Sequence, residues 1–307
     1  MIALLLRRLL HSVPTLFLVV AGSFFLIRLA PGGPFDLERP LPPAAMENLR
    51  RVYGLDEPLA VQFLRYLASL ARGDFGPSFS FRDLTVTDLF ARGLPVSATL
   101  GGLALVLALA LGLSLGSLAA LRRGGIADRV VGLLASLGLA VPNFVVAPLL
   151  QIAFGLGLAW LPVGGWGGGS PKNLILPVVT LALPHAAGIA RLTRAALAEV
   201  LVQPHIRTQR AMGFSRLRIL RHALRGALLP VVATLGPLAA GLMTGSVVVE
   251  TIFGLPGIGR YFVDGALNRD YTLVMGTVVL VAVLVILLNL VADLCAAILD
   301  PRITPSA

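Results

Sequence analysis

An apolar run of about 20 residues is long enough to cross the ~30 Å hydrocarbon core of a bilayer as a helix. This sequence offers six such runs, at 9–30, 95–121, 130–158, 174–197, 227–249 and 273–299. The expected fold class is therefore an all-α membrane protein with six transmembrane helices. Composition agrees: 57% of residues are hydrophobic and 13% charged, where soluble domains hold about 45–50% and about 25%. Several runs exceed what a bilayer needs, which implies tilt or extension beyond the lipid. The first run follows Arg7 and Arg8 as a signal peptide would, but it is longer than a signal core and lacks a small-x-small cleavage pattern, so it reads as a retained anchor. Pro142, Pro148, Pro177, Pro184 and Pro237 fall inside the runs. In lipid such breaks survive only where neighbouring helices or a water-lined cavity satisfy the freed backbone groups, which suits a bundle whose helices move.

Between the first two runs the sequence turns polar, with Pro, Gly and acidic residues, and 31–94 is expected to form an external insert of short helices. The chain then divides into a tail and first helix at 1–30, the insert at 31–94, and a five-helix core at 95–307 that carries a loop at 197–226. The net charge of +10 invites a nucleic-acid reading, but its placement opposes one. With both ends inside, the inner segments hold 14 cationic side chains against three acids, Asp128, Glu199 and Asp300, while the outer segments hold 11 of each. That is the positive-inside asymmetry of a membrane protein, and no nucleic-acid partner is expected. The single cysteine, Cys295, lies in an apolar run and rules out an internal disulfide or a cysteine-rich metal site.

A pump needs a nucleotide, yet a phosphate-binding loop requires G-x-x-x-x-G-K-S/T, and the one lysine, Lys172, follows Pro171. No ATP site can be built here, so any ATPase is a separate polypeptide. The rival class is an intramembrane serine protease: 112–116 spell G-x-S-x-G around Ser114, and His185 lies in another run. A hydrolase elbow sits on a strand-to-helix turn, however, and within a helix Gly112 and Gly116 equally form a small-x-x-x-small packing face. His11, His185, His205 and His222 lack the i, i+4 pairing of a helical metal site. Asp293 falls about 30 Å into the last run, near the inner interface, with Asn289 one turn away as a helix-packing partner.

The most basic stretch, 204–230, carries Arg207, Arg210, Arg216, Arg218, Arg221 and Arg225 between two apolar runs, which places it in water on the inner side. Its spacing predicts two short helices meeting at Gly213, with that glycine left-handed, Ser215 capping the second helix, and Leu217, Leu220 and Leu224 on one face. An ordinary basic inside loop would fit the charge rule equally. The order of residues resembles the coupling loop of bacterial ABC importer permeases of the dipeptide and oligopeptide type: Arg207, Thr208, Arg210, Ala211 and Gly213 match its first part, and Arg221 to Arg225, Ala227, Leu228 and Pro230 its second, with Gln209 and Met212 departing.

The resemblance extends over nearly the whole chain. LAPGGP and YGLDEP in the insert, Glu250, Phe253, Pro256, Gly257 and Gly259 after the fifth run, Arg269-Asp270-Tyr271, and Asn289, Asp293 and Asp300 to Arg302 at the end match the family pattern, while Gly33, Leu255 and Thr272 depart from it. What the resemblance implies is the first permease subunit of a type I ABC importer in a bacterial inner membrane, importing dipeptides or oligopeptides. The implied partners are a second homologous permease, two cytoplasmic subunits that bind ATP and Mg, and an external solute-binding protein; no cofactor belongs to this chain. By the same resemblance Arg207, Thr208, Arg210, Ala211, Gly213 and Ser215 form the ATPase-coupling loop. Glu250, Arg260, Asp264, Arg269 and Asp270 are outer charges that either receive the binding protein and gate the peptide or form a solvated structural network.

Overall fold

A computed structural model describes residues 2–29, 47, 54, 56–81, 83–244 and 247–299. The LAPGGP motif and Asp300 to Arg302 lie outside the described residues. The helices are α1 (Ile2–Leu29), α2 (Leu59–Leu70), α3 (Val86–Leu121), α4 (Ile126–Ala140), α5 (Asn143–Leu150, running on as a π-helical turn Gln151–Gly157), α6 (Pro171–Val200), α7 (Pro204–Ala211), α8 (Arg216–Met243), α9 (Val247–Phe253), α10 (Ile258–Leu267) and α11 (Tyr271–Leu299). Five spans, α1, α3, α6, the α8–α9 stretch and α11, are each long and apolar enough to cross a membrane.

The expected third span is not one straight helix. The α4 and α5 axes meet at 101°. The cause is local: Val141 precedes Pro142, the proline ring disfavours a helical residue before it, and both adopt extended backbone. The sixth crossing is thus a bent pair, and the all-helical six-span architecture stands with one broken member.

Helix α3 starts at Val86, nine residues before the apolar run. Its start is set by a capping box in which Thr85 accepts from the Asp88 amide at 3.1 Å and Asp88 accepts from the Thr85 amide at 3.0 Å. The densest packing joins α3 to α6. A methyl group added at Gly112 would sit 2.6 Å from Ile189, and one at Gly116 2.5 Å from the Ala190 carbonyl. The two glycines therefore bring the backbones together. Helix α6 is the central element, with 61% of its most apolar window buried.

Two further packings fix the periphery. Helix α1 leans on α11, and α2 closes over α1 through aromatic edges, Phe24 to Phe63 at 5.1 Å and Phe17 to Phe63 at 6.1 Å. Arg28 bonds Gln62 at 2.9 Å with its guanidinium 3.7 Å above the Phe24 ring. Phe75, Phe81, Val86, Leu89 and Phe90 share one cluster with Ile258 and Tyr261 of α10 and Leu273 of α11. Asn289 of α11 lies directly against Gly236 of α8, a close helix crossing.

Candidate functional site

At the inner end, α7 is a two-turn helix with one apolar anchor. Ile206 is fully buried among Ala120 of α3, Leu197 and Ala198 of α6, and Ile219, Ala223 and Ala227 of α8. The residues expected to form the coupling loop face out: Arg207, Thr208, Arg210 and Ala211 are exposed, as are Gly213 and Ser215. Gly213 has φ +76°, the left-handed conformation that ends a helix, and an added β-carbon there would meet nothing within 4 Å. Ser215 then opens α8 by accepting from the Arg218 amide at 3.4 Å. The Arg218 guanidinium lies 5.0 Å from the Phe214 ring centroid, and Phe214 meets His222 edge-on.

The second helix is longer than the sequence predicts. It does not stop at the end of the basic stretch but continues as α8 through Pro230 and Pro237 to Met243, so the loop is rigidly joined to the fifth span. Leu217 is 77% exposed, and with Leu220 and Leu224 it lines an open groove closed on the far side by Ile298 of α11. Arg216 and Arg218 sit in the first turn of α8, where the helix dipole opposes positive charge. Their placement does nothing for the helix; it builds a cationic surface with no acid between 203 and 230.

At the outer end, the five candidate charges separate into two kinds. Glu250 and Asp270 are both fully buried. Glu250 accepts from the Ser97 hydroxyl at 2.7 Å and from the Arg260 amide at 3.2 Å, and Ser97 in turn accepts from the Ile258 amide at 2.9 Å. The carboxylate thus caps the N-terminus of α10, where the dipole favours an anion. A side chain at Gly257 would overlap that carboxylate. Asp270 accepts from the Ser78 hydroxyl, the Phe79 and Ser80 amides at 2.9 and 3.0 Å, and the Thr272 hydroxyl and Leu273 amide, both at 3.0 Å. Arg260, Asp264 and Arg269 remain accessible; Arg260 and Asp264 approach only to 3.8 Å, and Arg269 is exposed with φ +55°. Sequence reasoning missed Ser97 and Ser78, which carry no signal of their own, and Ile206, whose signal was a lone apolar residue in a basic helix.

The protease constellation does not form. Ser114 lies two residues from each of Gly112 and Gly116, hence on the opposite side of α3; it is exposed while they are buried, and among the described residues no hydrogen bond joins it to His185.

The geometry agrees with what the chain is similar to. A family model described as the binding-protein-dependent transport system inner membrane component matches residues 112–305, and the model of its N-terminal part matches 1–99. The oligopeptide transport system permease protein OppB of Escherichia coli is 52% identical over 304 residues, and that of Haemophilus influenzae 49%, each covering 99% of both chains. The dipeptide transport system permease protein DppB of Bacillus subtilis is 44% identical over 290 residues, 94% of each. Among solved structures, an inward-facing conformation of the MetNI methionine ABC transporter superposes with a TM-score of 0.58 at 21% identity, covering 69% of this chain and 96% of that one, a likeness of fold. With its apolar spans, a buried carboxylate clamp at one end and an exposed loop on one continuous helix at the other, the chain belongs to the family of binding-protein-dependent transport system inner membrane components, and it is a permease subunit.

Proposed function

We propose that this permease imports dipeptides or oligopeptides and that the α7–Gly213–α8 turn is where separate ATP- and Mg-binding subunits drive it. The names of its relatives support the peptide class. The observation that carries the coupling role is the construction of the turn: Ile206 buried, and Arg207, Thr208, Arg210, Ala211, Gly213 and Ser215 exposed on a helix pair continuous with the fifth span. A push on α7 therefore moves α8. The cationic surface suits an acidic groove on an ATPase subunit. In this reading both termini and the loop lie in the cytoplasm, a second homologous permease completes the bundle, and an external solute-binding protein docks on the outer face. There the accessible charges Arg260, Asp264 and Arg269 are its contacts, while Glu250 and Asp270 hold the surface that it touches.

The test is Gly213→Val in the complete importer. A β-branched residue at a left-handed position costs about 1–3 kcal/mol in local strain. The cost falls on the turn and not on the bundle, so membrane abundance stays near wild type while peptide uptake is lost. Normal uptake with normal substrate-stimulated ATP hydrolysis in the variant would remove the coupling role.

A further inference from the structure

A groove of about 780 Å³ opens between α4 and α6, and it sets charged side chains among apolar ones. Helix α4 shows the contrast on itself. One exposed face carries Leu133, Leu134 and Leu137, 62%, 54% and 51% exposed, as a lipid-facing helix does. The other, lining the groove, carries Arg129, Gly132 and Ser136, all exposed. Across the groove, α6 contributes Gly188, Arg191 and Ala195 on one stripe, and His185 one turn above Gly188 extends it.

Depth matters. His185 is the fifteenth of the 30 residues of α6, hence at the middle of a helix ~45 Å long, and Arg191 lies only ~9 Å from that level. Helix α6 itself is the most buried of the apolar spans. An arginine facing hydrocarbon is costly, and intramembrane charges almost always face a water-filled cavity or the bundle interior.

The charges at the groove are unequal. Asp128 takes Arg194 in a bidentate pair at 3.0 and 2.9 Å and accepts the Gly124 amide at 2.9 Å, so both side chains are spoken for. Arg129 and Arg191 make no ion pair or hydrogen bond with a side chain among the described residues, and the half-buried His185 makes none either. Two guanidinium groups are left over in a groove whose remaining lining, apart from the Asp128–Arg194 pair, is small or aliphatic.

We propose that this groove is one wall of a water-filled peptide pathway in which Arg191 and Arg129 receive the carboxylate of the passing peptide and His185 offers a polar contact at mid-membrane. The assignment rests on the importer reading for its ligand, and the opposite wall is left to the second permease. An anionic lipid headgroup would satisfy the same guanidinium groups, and a sealed contact with the second permease would hide them; the experiment separates both from a water-filled pathway.

Gly188→Cys is placed in a Cys295→Ala background, where the new β-carbon meets only Leu139 at 4.0 Å, and compared with Leu133→Cys. The complete importer, in nanodiscs, is treated with a positively charged methanethiosulfonate. Thiolates form in water and not in lipid. A water-filled pathway makes Gly188→Cys react at least about ten-fold faster than Leu133→Cys without nucleotide, with the advantage lost on vanadate trapping. A Gly188→Cys as inert as Leu133→Cys in both states means that lipid or the second permease fills the groove, and the proposal falls. This arm needs no transport, so its outcome is independent of whether the chain imports peptides.

The ligand is tested by uptake of a random tetrapeptide library into proteoliposomes, normalised to assembled complex. Arg191→Gln lowers uptake about ten-fold by removing a charge-assisted bond to a carboxylate, and Arg191→Lys restores most of it. Wild-type uptake by the Arg129→Gln/Arg191→Gln double variant overturns the carboxylate role. Absent ATP-driven uptake by the unmodified complex, with Gly188→Cys still reactive, counts against the importer reading instead.

Discussion

Glu250 is an acid that the outer surface never sees, and this decides what its removal does. Its two oxygens hold the Ser97 hydroxyl and the amides that open α10, and Gly257 leaves room for the carboxylate by having no side chain. Removing the carboxylate leaves these buried donors without an acceptor, at about 1–3 kcal/mol for each one left unsatisfied. Glu250→Ala is expected to lower the thermal stability of the detergent-solubilised permease markedly. Gly257→Ala should do nearly the same from the other side, by evicting the carboxylate, whereas Ser97→Ala loses two hydrogen bonds, one donated to Glu250 and one accepted from the Ile258 amide, and about 1–3 kcal/mol. Equal melting temperatures for Glu250→Ala and wild type would show that the network does not hold the cap. At Gly213 the open surroundings predict a graded series: Asn, which tolerates left-handed backbone, should transport better than Ala, and Ala better than Val, in the uptake assay.

Among the elements, α7 is the one whose attachment hangs on a single side chain. Ile206→Ala removes an apolar group from a fully buried site, a change that commonly costs about 2–5 kcal/mol, and α7 has no second anchor against which to spend it. The variant should insert normally, become sensitive to limited proteolysis between 200 and 215, and lose uptake; protease resistance equal to wild type would contradict the anchoring role. Much of this element was legible beforehand, because Gly213 and Ser215 are local signals whose geometry depends on their immediate neighbours. The bend between α4 and α5 was half legible: Pro142 announced a break, but not that the following helix would turn through 101°. The outer charges were the least legible. A carboxylate in sequence looks the same whether water or the backbone solvates it, and the amides that solvate Asp270 come from residues 79 and 80, about 190 positions away. The long α8 was underestimated because the change from basic to apolar sequence near 226 reads as a boundary, whereas the helix runs through it and through Pro230 and Pro237.

For the molecule as a whole, the proposed direction across the membrane rests on the charge asymmetry of the sequence. Single cysteines at Ser170, before α6, and at Ser215, in the basic turn, are predicted to lie on opposite sides. In a Cys295→Ala background, an impermeant thiol reagent on intact cells should label the Ser170→Cys chain and spare the Ser215→Cys chain until the membrane is permeabilised; equal labelling would refute the topology. The outer clamp also bears on how such a chain is made. The hydroxyls of Ser78 and Ser97 and the amides of 79 and 80 leave the ribosome long before Asp270 and Glu250, from which they stand between 153 and 192 positions away. Until the last two crossings have been delivered, the outer face of the nascent protein is an unfinished surface of unsatisfied donors, and it becomes finished in one step. A cell that inspects half-made membrane proteins is thus given a mark that vanishes only on completion, so chains cut short before α10 are expected to be short-lived.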